Sequence, residues 1–139
     1  SLTQAEVTMN LGGQAWTLRN LGWARYLCGD YDEAAACYRQ SLQLRRQMKQ
    51  PVGVAWALEG LAEVAVATHD WGRAVRLWAA AARLRTENHS TMAPVDQMRY
   101  ADHLTTVRAT LGEATFQAAW TAGEALSAAA VCAYGQVCS

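Results

Sequence analysis

The chain has 139 residues, of which 52% are hydrophobic, and its 12 basic side chains balance 12 acidic ones. The hydrophobic fraction excludes a wholly disordered chain, and the zero net charge provides no overall attraction to nucleic acid or to a membrane surface. No apolar run reaches the roughly 18 residues of a membrane span. Alanine occurs 28 times and proline twice. Because alanine is the best helix former and proline the worst, we expect an all-helical protein.

An internal repeat with a period of 40 residues organises the chain, and residues 15–45 align with residues 55–85. A period of about 20 to 50 residues is the signature of repeat architectures, whose units bury their faces against their neighbours. Each repeat is predicted to form two helices. The matched positions include Ala15 with Ala55, Trp16 with Trp56, Leu18 with Leu58, Leu21 with Leu61, Asp30 with Asp70, Ala34 with Ala74 and Tyr38 with Trp78.

In the first helix, apolar residues at three-residue steps predict the buried side, namely Leu18, Leu21, Ala24 and Leu27. Gly29 suits the end of this helix, because glycine accepts a positive φ without strain. Asp30 is predicted to cap the second helix, and Glu33 three residues later completes a capping box. The inner face of the second helix is predicted to hold Ala34, Tyr38, Ser41 and Leu42.

The second repeat follows the same plan. Pro51 fits the first turn of the third helix, where its missing N–H is tolerated, and Asp70 is predicted to cap the fourth. After a loop at residues 86–91, Pro94 fits the start of a fifth helix, which Gly112 ends, and a sixth helix follows. The inward positions of the third and fourth helices are predicted to be Leu58, Leu61, Ala65, Ala74, Trp78 and Ala81.

This pattern resembles the tetratricopeptide repeat (TPR). The segments that carry the resemblance in the first repeat are Leu21-Gly22, Gly29-Asp30-Tyr31-Asp32-Glu33-Ala34, Tyr38 and Ser41-Leu42-Gln43-Leu44. Those in the second repeat are Leu61-Ala62, Asp70-Trp71, Ala74, Trp78, Ala81 and Leu84. The resemblance implies an all-α, right-handed TPR-like α-solenoid of about six antiparallel helices.

Residues 44–127 also resemble the C-terminal region of large bacterial regulators, which join an ATP-binding module to TPRs and often to a LuxR-type DNA-binding domain. The matching segments are Leu44-Arg45-Arg46, residues 53–62, Arg73-Ala74, residues 77–81, Leu84-Arg85 and residues 111–127. The resemblance implies that the chain is a fragment of a larger cytoplasmic signalling or transcriptional regulator.

Five segments are predicted along the chain. A solenoid needs an end that closes its core, and the less regular C-terminal part is expected to supply one. Residues 1–10 are assigned to the end of a preceding repeat helix, residues 11–48 to TPR-like repeat 1, residues 49–88 to TPR-like repeat 2, residues 92–132 to a diverged third repeat or a capping helical hairpin, and residues 133–139 to a tail.

No catalytic or metal-binding constellation stands out in the sequence. The three histidines, His69, His89 and His103, have no metal-ligand spacing, and Gly12-Gly13 is not followed by the Lys-Ser or Lys-Thr of a phosphate loop. We therefore expect no enzyme activity, no metal and no cofactor. The cysteines form no C-x-x-C pair and fit packed thiols in a reducing compartment; they are Cys28, Cys37, Cys132 and Cys138.

The arginine pairs at the ends of the second helices, such as Arg45-Arg46, complement the helix dipole. Because no basic recognition helix accompanies them, we expect no direct contact with nucleic acid. In TPR proteins the first helix of each pair lines a concave groove, so the resemblance places a set of aromatic and charged residues there. These residues are Trp16, Arg19, Trp23 and Tyr26 from repeat 1, with Trp56, Glu59 and Glu63 from repeat 2.

Aromatic and arginine side chains are favoured binding anchors, and a groove with Arg19 on one side and Glu59 and Glu63 on the other suits a peptide or a helix. We therefore predict a non-catalytic interaction or regulatory module. Its partner is a protein, a peptide or another domain of the same parent protein. The rival interpretation is that other parts of the same protein cover the groove. The alternatives are a structural oligomerisation domain that forms a homodimer, and a helical domain that senses a small molecule.

Overall fold

The structure, a computed structural model, describes residues 3–136, and these form seven α-helices. The described residues contain no strand and no helix with the length and apolarity needed to span a membrane. The all-α, TPR-like solenoid is therefore confirmed, with seven helices in place of about six. The helices are α1 (Gln4–Leu27), α2 (Tyr31–Gln47), α3 (Pro51–Ala67), α4 (Trp71–Glu87), α5 (Pro94–Leu111), α6 (Glu113–Glu124) and α7 (Ala128–Gln136).

Four similar turns link helices α1 to α5. In the first, the Gly29 N–H donates to the Tyr26 carbonyl at 3.1 Å and the Asp30 N–H donates to the Arg25 carbonyl at 2.9 Å. This is the Schellman arrangement, which requires a positive φ at its central residue. The four central residues are Gly29, Lys49, His69 and His89, with φ of 82°, 57°, 62° and 52°. A recurring turn explains why the first four helices stack as two hairpins.

The predicted capping box is absent. Asp30 and Asp70 occupy the N-cap positions of α2 and α4, but neither side chain accepts a capping hydrogen bond. A capping side chain is aimed by β-region backbone angles, whereas Asp30 has a ψ of 70° because it also completes the preceding turn. The Asp30 carboxylate lies 3.7 Å from the Arg25 guanidinium instead.

Close approach between α1, α2 and α3 depends on glycines that face the ring of Tyr38. A Cβ added at Gly22 would lie 2.9 Å from the Tyr38 ring, and one added at Gly60 would lie 2.6 Å from it. Tyr38 is buried, as is Trp78 at the matching position of the second repeat. The ring therefore fills the space that the two glycines leave between three helices.

The prediction of which side of α1 is buried is wrong in part. Leu21 and Leu27 are 42% and 64% exposed, and Ala24 is exposed as well. Leu61, the counterpart of Leu21, is only 3% exposed. The reason is position in the array, because α3 packs against α1 and α2 whereas no helix of residues 3–136 precedes α1.

The two ends of the described chain also differ from expectation. The predicted helix boundary near residue 10 is absent, because residues 4–10 form the first turns of α1. Residues 133–136, expected in a tail, belong to α7, and residues 1–2 and 137–139 lie outside the described part. The other segment boundaries stay predictions.

The C-terminal helices do not repeat the regular hairpin geometry. Helix α6 packs mainly along α4, and a Cβ at Gly123 would overlap the Arg76 carbonyl. Helix α7 packs on α2 and α4, where the Arg76 Nε donates to the Tyr134 hydroxyl at 2.7 Å. Helix α5 is left with only limited contacts to α3, α4 and α6, so its position rests on a few side chains.

The matched pair Leu21 and Leu61 tests the difference between the two repeats. Leu61→Ala should lower the free energy of unfolding by about 2 to 5 kcal/mol, because it leaves a cavity in a closed core. Leu21→Ala should lower it by roughly 0.5 kcal/mol, as a surface substitution does. Denaturant-induced unfolding followed by circular dichroism gives both values, and equal losses would contradict the open side of α1.

Candidate functional site

Helices α1, α3 and α5 enclose a groove of about 320 Å³, which we call the concave groove. Five of the seven predicted groove residues line it, and they are Arg19, Trp23, Trp56, Glu59 and Glu63. These side chains come together because Gly22 and Gly60 bring α1 and α3 close on either side of Tyr38. The groove therefore combines two indole rings with one cation and two carboxylates.

The other two predicted residues lie beside the groove. Trp16 is 51% exposed and its ring lies 5.7 Å from the Arg19 guanidinium carbon. Tyr26 stacks on Trp23 with ring centroids 5.5 Å apart, and its other side meets Tyr31 at 5.8 Å. Tyr26 therefore orders the Trp23 ring by stacking on it, while Trp16 adds an exposed ring next to the groove.

Helix α5 contributes the groove residues that the sequence analysis missed. Arg99 donates two hydrogen bonds to the Glu63 carboxylate, at 2.7 and 3.0 Å, and His103 lies 3.2 Å from the same carboxylate. Asp96 holds Arg99 from the other side at 3.3 Å. The Arg99 guanidinium also lies 4.2 Å from the centre of the Trp23 ring. Arg99 thus joins all three helices of the groove.

The clear 40-residue alignment ends at residue 85, but Arg99 and His103 lie one period after Glu59 and Glu63. This register and the i, i+4 spacing of Arg99 and His103 were the available signals, and they place two potential carboxylate partners on one helix face. The sequence could suggest that face, but it could not say that Glu63 lies opposite.

The electrostatics of Glu63 follow from this contact. Burial pushes the pKa of Glu63 upward, but the hydrogen bonds with His103 and Arg99 outweigh burial and hold that pKa below its usual range. The hydrogen bonds with Glu63 also raise the pKa of Arg99. The charged pair is therefore the stable form at neutral pH, and it holds α5 against α3.

Glu59 is paired in the same way beneath the groove. Arg85 of α4 donates to its two carboxylate oxygens at 2.7 and 2.8 Å, and it also donates to the Ser90 hydroxyl at 3.1 Å. Burial raises the pKa of Glu59, and the hydrogen bonds from Arg85 oppose that rise. Arg85 therefore supplies the hydrogen bonds and the counter-charge of a buried carboxylate, in addition to placing a cation in the last turn of α4.

Comparison with known proteins gives one family. Residues 15–48 match the family model described as the tetratricopeptide repeat, and they comprise the second half of α1, all of α2 and the turn between them. This match and the all-helical fold support the TPR family. The TPR is generally a non-catalytic fold that mediates protein–protein interactions. No curated protein and no solved structure matches the chain.

Residues 3–136 contain no group of three or more histidine, cysteine or acidic side chains that could hold a metal ion. Cys28, Cys37 and Cys132 are free thiols, and Cys138 lies outside the described residues.

Glu63→Gln should loosen α5 and lower the free energy of unfolding by about 2 kcal/mol at pH 7, because a buried charged hydrogen bond is lost. Since the folded-state pKa of Glu63 is lowered, its contribution is present above the unfolded value of about 4.3 and is lost as the pH falls through the folded value. Denaturant unfolding at pH 7 and pH 3 should therefore show a smaller acid effect in Glu63→Gln than in the wild type.

Glu87→Gln is the matched control, because the Glu87–Arg83 pair is exposed and such pairs contribute about 0.2 to 1 kcal/mol at most. An acid effect of equal size in the wild type and in Glu63→Gln would show that Glu63 does not hold α5. Hydrogen exchange of the α5 amides gives a local readout, and it should be faster in Glu63→Gln.

Proposed function

We propose that the concave groove binds a peptide segment of a partner protein. The observation that carries this proposal is the convergence of Arg19, Trp23 and Trp56 from two helices on one surface. Tryptophan and arginine are the residue types most enriched among binding hot spots. The groove is open to solvent along these side chains, which are only half-buried.

The anchors are held in place by neighbours. Trp23 lies between the ring of Tyr26 and the guanidinium of Arg99, and Trp56 lies against the guanidinium of Arg19 at 4.7 Å. Side chains that are already ordered lose less conformational entropy on binding. The paired carboxylates of Glu59 and Glu63 form the rigid floor on which a ligand would rest.

A selection from a library of short random peptides, displayed on phage, tests the proposal. Recovered peptides should shift the indole signals of Trp23 and Trp56 in nuclear magnetic resonance spectra. The double substitution Arg19→Ala/Trp23→Ala should weaken their binding at least a hundredfold, which is about 2.7 kcal/mol. Circular dichroism should show unchanged helicity.

Arg46→Ala is the control, because Arg46 is an exposed arginine of α2 outside the groove. It should bind the same peptides with unchanged affinity. Peptides that bind the double variant as tightly as the wild type would rule out the groove as the binding site.

We also place the module in a larger cytoplasmic bacterial regulator, where a bound partner would bias an attached output domain. This part of the proposal rests on the resemblance of residues 44–127 to the C-terminal region of such regulators. The reading frame around the chain is the decisive observation, and a parent without a nucleotide-binding or DNA-binding module would contradict it.

A second candidate function is self-association, which an exposed apolar stripe on α1 favours. Met9, Trp16 and Leu27 are 76%, 51% and 64% exposed, and they recur at helical spacing on one side of α1. Exposed apolar patches are typical of interaction surfaces. Light scattering at several concentrations should show a stable dimer if this candidate is correct, and a monomer throughout would reject it.

A further inference from the structure

At one end of the concave groove, Trp56 meets Arg19, which lines the groove, and Arg45, which lies next to it. The guanidinium carbon of Arg19, from α1, lies 4.7 Å from the centre of the Trp56 ring, and that of Arg45, from the end of α2, lies 5.7 Å from it. An arginine over an indole ring is held by cation–π attraction, and its N–H groups stay available at the edge of the guanidinium.

Neither arginine has an acidic partner among residues 3–136. No ion pair of this part of the chain includes Arg19 or Arg45, and Arg45 donates only to the amide oxygen of Gln50. The acids that line the groove are already engaged, because Glu59 pairs with Arg85 and Glu63 and Asp96 pair with Arg99.

The position of the Arg45 side chain depends on the absence of a side chain at Gly53. Gly53 lies beneath its side chain, and a Cβ there would overlap the Cδ of Arg45. Burial and the charge of Arg19 both lower the pKa of Arg45, so these two like charges lie close enough to repel each other. An anion bound between them would relieve this repulsion.

We propose that the groove selects acidic peptides, and that an aspartate or glutamate side chain of the ligand pairs with Arg19 and Arg45 beside Trp56. This inference rests on the proposed function and adds the chemical class of the ligand. Guanidinium groups match carboxylates through paired N–H donors. Met92, just before α5, and Val95 of α5 supply an apolar lining elsewhere in the groove, so the ligand combines an acidic residue with apolar ones.

The same display library provides the test, and recovered peptides are then synthesised with both ends blocked so that side chains carry their only charges. Peptides recovered on the wild type should contain aspartate and glutamate above the library frequency. Replacing the acid of a recovered peptide by its amide should weaken binding at least tenfold, which is about 1.4 kcal/mol. Arg19→Gln and Arg45→Gln should each cause a similar loss for the acidic peptide and little further loss for the amide peptide.

Arg46→Gln is the matched control for Arg45→Gln, because it removes the adjacent but exposed arginine and should leave affinity unchanged. Arg45→Lys keeps the charge and should bind the acidic peptide more tightly than Arg45→Gln does. The affinity lost through Arg45→Gln and the affinity lost with the amide peptide should not simply add when the two changes are combined. Additive losses would overturn the proposed pairing.

The outcome also separates this inference from the proposed function. Peptides that bind the groove without acidic enrichment would overturn the inference and leave the groove as a peptide site. A library from which no peptide binds the groove would reject both.

Discussion

The concave groove depends on a single aromatic ring, that of Tyr38, which fills the space between three helices. Gly22 and Gly60 face this ring, and each glycine in a helix interior costs about 0.5 to 1 kcal/mol relative to alanine. Burying an aromatic side chain of about 150 Å² contributes roughly 4 kcal/mol. The burial of Tyr38 therefore outweighs the cost of the two glycines. The same close approach lets Arg19 of α1 reach across to Trp56 of α3.

The charge pattern of the groove follows from this approach, because α3 carries carboxylates where α1 carries a cation and an indole. Glu59 and Glu63 are the repeat counterparts of Arg19 and Trp23. An unpaired carboxylate at such depth would cost several kcal/mol, so both glutamates need arginine partners from α4 and α5. Once those pairs form, the remaining cation of the groove is Arg19, which gives the α1 end its positive character.

Local and repeated features were predictable from the sequence, whereas features that depend on neighbours were not. The helices of the two repeats and the turn at Gly29 follow from periodicity and from backbone preference. The burial of Leu21 could not be predicted, because it depends on whether another helix lies beside α1. The contact of Arg99 with Glu63 depends on how α5 packs on α3, although Arg99 and His103 lie 40 residues after Glu59 and Glu63, in the same repeat register. Five of the seven predicted groove residues line the groove, its third wall was not predicted, and the role of these residues in binding stays a prediction.

The third wall of the groove is held to the other two by side chains of α5. Arg99 touches both Glu63 and Trp23, His103 lies beside Glu63, and the ring of Tyr100 meets that of Trp78. A ligand that packs on Trp23 therefore lies beside Arg99 as well. The ion pair between Arg99 and Glu63 thus connects the groove to the helix that begins the C-terminal part of the fold.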